Sequence, residues 1–174
     1  LKGPHFNGNE VAKEALKKGA SYAVVDDELY AIDDRYILVK DALKTLQELA
    51  RFHRKELKCK ILGITGSNGK TTSKELCLQV LKKKYNTMAT SGNLNNHIGV
   101  PLSILSIGTD TEIGIIEMGA NHINEIEFLC GIAQPDYGVI TNVGKAHLEG
   151  FGSLEGVLEG KTELYRYLAT KDAP

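Results

Sequence analysis

Nothing in this sequence is long and apolar enough to cross a bilayer, since no hydrophobic run approaches the roughly 20 residues a spanning helix needs. The first residues also lack the basic start and apolar centre of a signal peptide. Cysteine is scarce. Cys59, Cys77 and Cys130 lie far apart, form no metal-ligand spacing and, being odd in number, offer no disulfide framework, which points to a reducing cytoplasm. Neither sign of charge is in excess. Lys and Arg number 21 against 22 Asp and Glu, a net charge of −1, so there is no general attraction to nucleic acid or an anionic membrane, and any phosphate recognition must be local. Internal repeats and low-complexity segments are missing as well. What remains is 174 residues of ordinary globular composition, 42% hydrophobic and 25% charged, enough for one domain or two small ones. The sequence starts at Leu1 without methionine and stops at Pro174 just after a helical pattern, as expected of a fragment.

Along the chain, Asn9 is placed to cap a helix reaching Lys18, with Val11, Ala15 and Leu16 inward and Gly19 as its stop. Residues 22–25 and 36–39 read as short strands, and Asp41 caps a longer helix on which Leu43, Leu46, Leu49, Ala50 and His53 keep the helical period. A domain boundary is expected near residues 57–60, dividing the chain into 1–58 and 59–174. Beyond it, strands at 61–65, 87–90, 113–118 and 137–142 alternate with helices at 71–84, 123–133 and 154–168 and a helical turn at 100–105. This alternation predicts an α/β domain with a parallel sheet and helices on both faces, in which ligands collect outside the carboxyl ends of the strands.

The most informative stretch is Leu62-Gly63-Ile64-Thr65-Gly66-Ser67-Asn68-Gly69-Lys70-Thr71-Thr72. A buried strand breaks at Gly66, turns through Ser67-Asn68-Gly69 and enters a helix. Glycines let successive N–H groups converge on an anion, and the helix N-terminus adds partial positive charge. Lys70 would neutralise β- or γ-phosphate charge, and the Thr71 hydroxyl is placed to ligate Mg²⁺. The spacing misses the usual phosphate loop, which has four residues between its glycines; here five separate Gly63 from Gly69 and two separate Gly66 from Gly69.

Other polar residues fall at the same predicted edge. Glu117 ends the apolar run Ile113–Ile116, where an ionised carboxylate is costly unless paired or bound to a cation; it reads either as a metal ligand or as a strand end facing solvent. Lys161 sits inside the stripe formed by Leu154, Val157, Leu158, Leu164, Tyr165 and Leu168. There it either snorkels to the edge or, buried, keeps a neutral amine for chemistry. His147 follows the last strand in a loop and becomes a candidate ligand near a metal and phosphates, a role for which His122 is a weaker candidate. Residues 91–101 hold three asparagines and two glycines, which suits either a polar ligand or a turn-rich loop.

Taken together, Thr65–Thr72, residues 91–101, Glu117–His122 and His147–Gly152 resemble the Mur ligase family of ATP-dependent amide-forming enzymes, whose form of the phosphate loop accounts for the odd spacing. Within it they look most like the branch that adds D-alanyl-D-alanine to a UDP-N-acetylmuramoyl tripeptide, the last cytoplasmic peptide addition in cell-wall precursor synthesis. Residues 1–9 resemble a loop near the UDP-sugar, although Asn7-Gly8-Asn9 stands where relatives often have Asp-Gly-His.

The resemblance implies that 1–58 is the end of a smaller α/β UDP-sugar-binding domain and that 59–174 is an incomplete central ATPase, with the closing C-terminal domain absent. It implies ATP contacts at Gly66, Ser67, Asn68, Gly69, Lys70, Thr71 and Thr72. Two Mg²⁺ ions are implied, one held by Thr71 and Glu117, the other by His147 and a carbamate formed on Lys161 with CO₂. Lys70, Lys161 and His147 would carry the chemistry, and Asn95, Asn96 and Asn142 would meet substrate or site water. No nucleic acid, membrane insertion or obligate protein partner is implied, and the fragment alone is expected to be inactive. A sister ligase, a folylpolyglutamate synthase-like ligase, or a phosphate-loop module without ligase chemistry are the other readings.

Overall fold

Apolar runs separated by turns fold into two units, Leu1–Leu46 and Gln47–Pro174, in a computed structural model that describes residues 1–145 and 148–171. In the first unit, β1 (Lys2–Gly3) pairs antiparallel with β2 (Phe6–Asn7). A 3-10 turn over Gly8–Val11 leads into α1 (Ala12–Lys17), and β3 (Ala23–Val25) pairs in parallel with β4 (Tyr36–Leu38). Ala12, Leu16, Ala23, Val25 and Tyr36 make the core. The helix entry differs from the sequence-based expectation. The 3-10 turn shifts the helical phase, so Ala12 and Leu16 face inward while Val11 and Ala15 are exposed. Asn7, not Asn9, caps the turn, accepting from the Asn9 N–H. The Asn9 side chain is buried, donating to Asp26 at 2.8 Å and accepting from the Asp26 N–H at 3.1 Å.

The helix α2 (Ala42–Glu56), capped by Asp41, runs through the division between the units. Its later turns belong to the second unit, because Ala50 joins that core and Gln47 bonds the His97 carbonyl at 3.0 Å. Arg54 donates to the carbonyls of Ala133 and Gln134 and to Asp136. These polar anchors were unreadable in the hydrophobic period, and the division between the two compact units falls inside this helix, between Leu46 and Gln47. Leu49, expected inward, is exposed.

The second unit is built on four parallel strands, β5 (Lys60–Thr65), β6 (Thr87–Ala89), β7 (Ile113–Glu117) and β8 (Tyr137–Ile140), in the order β6-β7-β5-β8. The helices are α3 (Lys70–Leu81), α4 (Gly99–Leu105), α5 (Glu125–Ala133), α6 (Leu148–Phe151) and α7 (Leu154–Ala169). Side chains alternate across each strand. Ile61, Ile116 and Met118 join the core under α4, α5 and α7. Gly63 and Gly138 clear space on that face, since a Cβ at either would press on Leu164. Ile64, Ile115 and Glu117 point the opposite way, toward α3, whose Lys74 lies 4.0 Å from Glu117. Helices therefore cover both faces, as the βαβ rhythm predicts. The loops that carry the polar residues leave the strands at their carboxyl ends.

Candidate active site

At the end of β5 the chain turns sharply. Gly66 has φ +139° and Gly69 φ +77°, both in the region that glycine enters without strain. A Cβ at Gly66 would also strike the Thr141 hydroxyl. The turn is pinned to the segment after β8: the Ser67 N–H donates to the Asn142 carbonyl at 3.1 Å, the Asn68 N–H to Asn142 Oδ1 at 3.0 Å, and Thr141 Oγ1 to the Asn68 carbonyl at 2.6 Å. Ser67 Oγ exchanges hydrogen bonds with Gly144. Lys70 opens α3 and folds back, its Nζ donating to the Gly66 carbonyl at 2.7 Å and the Ser67 carbonyl at 3.3 Å. Burial lowers its pKa, and the Glu117 charge opposes that shift. Thr71 and Thr72 lie exposed in the first turn of α3. The arrangement offers an anion a helix N-terminus and an ammonium already fixed beside it.

The Glu117 side chain is 2% exposed. Its Oε1 accepts from Asn95 Nδ2 at 2.9 Å, and its own N–H donates to Thr90 Oγ1 at 3.0 Å. Its Oε2 has no hydrogen-bond partner among the described residues, a condition shared only with Thr65 Oγ1 at the neighbouring strand end. The Lys74 ammonium lies 4.0 Å from this Glu117 oxygen, beyond hydrogen-bond reach, so the cost of burying it is only partly offset. With the Thr71 hydroxyl as a second hard oxygen donor, the chemistry fits Mg²⁺. No cluster of three or more His, Cys, Asp or Glu exists among the described residues, so any ion here would depend on hydroxyl, phosphate or water oxygens as well.

On α7, Lys161 is 1% exposed, and neither snorkelling nor a surface ion pair describes it. Its Nζ donates to the Ala120 carbonyl at 3.1 Å and lies 5.0 Å from the centre of the Phe151 ring. Burial, aided by the Lys70 charge, pushes its pKa down to about 8. Gly160 makes room for this pairing, because a Cβ there would enter the Phe151 ring. The buried stripe of α7 is narrower than its apolar pattern: Val157, Lys161, Leu164 and Leu168 face inward, while Leu154, Leu158 and Tyr165 are exposed. His147 lies outside the described residues.

A cleft of about 580 Å³ opens beside Lys70, its lining including Asn95, Asn96, His97, Gly119, Ala120 and Glu125. The three asparagines expected to meet substrate also shape this frame. Asn95 holds Glu117, Asn96 Oδ1 accepts from the Ile98 and Gly99 N–H groups at the start of α4, and Asn142 braces the phosphate loop. Asn95 and Asn96 line the cleft, whereas Asn142 does not.

A family model described as the Mur ligase middle domain matches residues 64–173, spanning the loop, Glu117 and Lys161. The chain belongs to the Mur ligase family. It is 41% identical over 166 residues to a curated relative from Bacillus subtilis (strain 168) named UDP-N-acetylmuramoyl-tripeptide--D-alanyl-D-alanine ligase, covering 94% of this chain and 36% of the relative. Among solved structures, MurF from Acinetobacter baumannii superposes with a TM-score of 0.86 at 34% identity, over 97% of this chain and 37% of that one. MurF ligase from Thermotoga maritima in complex with ADP gives 0.85 at 40% identity, over 96% and 39%. This Mur ligase chain thus spans well under half the length of these relatives.

Several residues that shape the Mur ligase site escape a sequence reading. Glu163, two residues past Lys161, accepts from the Asn124 N–H at 2.6 Å and the Glu127 N–H at 2.8 Å, so α7 caps α5. Glu125 accepts from the N–H groups of Asn121 and His122 and pairs with the His122 ring, which fixes the turn before α5. Lys74 looks like one more charge on a solvated helix. The signal that could have found it is its place four residues after Lys70, on the same face of α3.

Proposed function

We propose that this chain carries the nucleotide site of an ATP-dependent ligase that joins D-alanyl-D-alanine to a UDP-N-acetylmuramoyl tripeptide in the cytoplasm, for peptidoglycan precursor synthesis. The observation that carries the reading is a buried carboxylate oxygen and a buried lysine amine facing the same edge as the phosphate loop, in a chain whose curated relatives bear that ligase name. A bare nucleotide-binding module could use the carboxylate for its Mg²⁺ but would give the buried amine of Lys161 no role. The ADP bound by the Thermotoga maritima relative supports ATP as the nucleotide.

In this reading Gly66–Thr72 receives the phosphates, and Lys70 lies against the β- and γ-phosphate oxygens. Thr71 and Glu117 would hold one Mg²⁺; Lys161, as its carbamate, and His147 would hold a second. When bound, the ions offset repulsion between the substrate carboxylate and the γ-phosphate. The terminal carboxylate of the tripeptide attacks the γ-phosphorus, the β–γ bridging bond breaks, and ADP leaves an acyl phosphate. The amine of D-alanyl-D-alanine then attacks the acyl carbon, loses a proton and expels phosphate. Both steps depend chiefly on alignment and charge stabilisation. The cleft lined by Asn95, Asn96, His97, Ala120 and Glu125 would receive the reacting ends. Residues 1–58 would contribute to holding the UDP-sugar.

Phosphate release by the full-length protein tests the assignment. With ATP, Mg²⁺ and the UDP-muramoyl tripeptide, sustained release should require D-alanyl-D-alanine; release with another amino acid and none with the dipeptide would refute it.

A further inference from the structure

Lys74 is among the most buried side chains in the molecule, 1% exposed, although a lysine is rarely enclosed unless its charge is used. Its Nζ donates to the Thr90 carbonyl at 2.7 Å and to the Gly92 carbonyl at 3.4 Å. It lies 3.1 Å from the exposed Glu75 carboxylate and 4.0 Å from the unpartnered Oε2 of Glu117. Thr90 also receives the Glu117 N–H on its hydroxyl, and Asn95, three residues past Gly92, holds the other Glu117 oxygen. One ammonium on the phosphate-binding helix therefore fastens the carboxyl end of β6, the start of the asparagine-rich segment and the charge of Glu117. Lys70, one turn earlier on the same helix, donates to the Gly66 and Ser67 carbonyls of the loop.

We propose that Lys74 is a positioning residue that ties α3 to residues 90–95 and holds Glu117 aimed at its cation, so that the metal site is set when nucleotide engages α3. The inference rests on the proposed role of Glu117. Lys74 touches neither substrate nor metal and acts through the carboxylate. Removing a partner that orients a metal ligand typically weakens metal binding by about 10- to 100-fold.

The test uses the full-length protein and a non-hydrolysable ATP analogue, titrated by calorimetry with EDTA and across a Mg²⁺ series, well below each variant's melting temperature. Lys74→Met should leave metal-free affinity within about twofold and raise the Mg²⁺ concentration for half-maximal enhancement by about tenfold. Glu75→Gln, which neutralises only the exposed neighbour, should leave that concentration unchanged. An unshifted Mg²⁺ midpoint in folded Lys74→Met would overturn the proposal even if the melting temperature falls, because packing alone would account for that. If Lys74→Met does not fold, Lys74→Gln is judged by the same comparison; failure of both to fold would make the lysine purely structural and also overturn it. Absence of any Mg²⁺ enhancement in the unsubstituted protein would instead refute the assignment of Glu117.

Discussion

Lys161 carries a charge problem that a helix residue need not have. Its amine is enclosed by Phe151 and the Ala120 carbonyl, and burial brings its pKa from 10.5 to about 8. Between those values the folded chain binds fewer protons than the unfolded one, so stability rises with pH through that window. Below about 8 the folded state bears the cost of a buried ammonium. Lys161→Met should therefore be more stable than the unsubstituted protein at pH 7, with the difference closing toward pH 10.5, as urea midpoints across that range would show. An amine that sheds its proton this readily can react with CO₂. Accordingly, in the full-length protein Lys161→Ala should abolish the proposed ligase turnover, and a short carboxylic acid should restore part of it; full turnover in that variant would sink the role. Gly66 presents a different constraint. Gly66→Ala adds a methyl group at φ +139° that meets the Thr141 hydroxyl, and it should cost about 1–3 kcal/mol of stability together with nucleotide binding.

Among the elements, α7 and α5 show what the hydrophobic pattern conveys and what it leaves out. The apolar runs of β5 and β7 and the strand-helix alternation were legible because burial on both faces demands them, and each expected strand of the second unit is present. The facing of α7 was legible only in part: Lys161 lies inward with Val157, Leu164 and Leu168, as the stripe implies. Its buried side is set by Gly156 and Gly160 packing on Phe151, so small residues and Lys161 face inward while Leu158 turns out. The short helix α6, with four residues, is too brief for any period to register. Long-range polar contacts were equally hidden: the bonds joining Glu163 to the start of α5 and Arg54 to its end leave no mark in spacing. Such contacts still stabilise. Glu163→Ala removes the acceptor for two N–H groups at the start of α5 and should cost about 1–3 kcal/mol in chemical denaturation, with Glu163→Gln losing less.

For the molecule as a whole, the phosphate loop, Glu117 and Lys161 all belong to the second unit. The first unit carries its own polar anchor. The Asn9 amide, joined by the Ala42 N–H and the Lys2 ammonium, holds the Asp26 carboxyl at about 2 against a usual 3.8. A carboxylate depressed in this way contributes stability above pH 3.8 that is lost as pH falls through about 2. Asp26→Asn should therefore destabilise this unit at neutral pH, with the difference from the unsubstituted chain vanishing toward pH 2 in acid denaturation monitored there. No helix among the described residues is long and apolar enough to cross a membrane.

The proposed role of the loop, Glu117 and Lys161 is acyl activation, not simple nucleotide hydrolysis. Its most direct test is to follow ¹⁸O from the terminal carboxylate of a labelled UDP-muramoyl tripeptide in a reaction of the full-length protein with ATP and D-alanyl-D-alanine. An acyl phosphate predicts one labelled oxygen in each phosphate released. Phosphate without label, or phosphate released without the tripeptide, would contradict it.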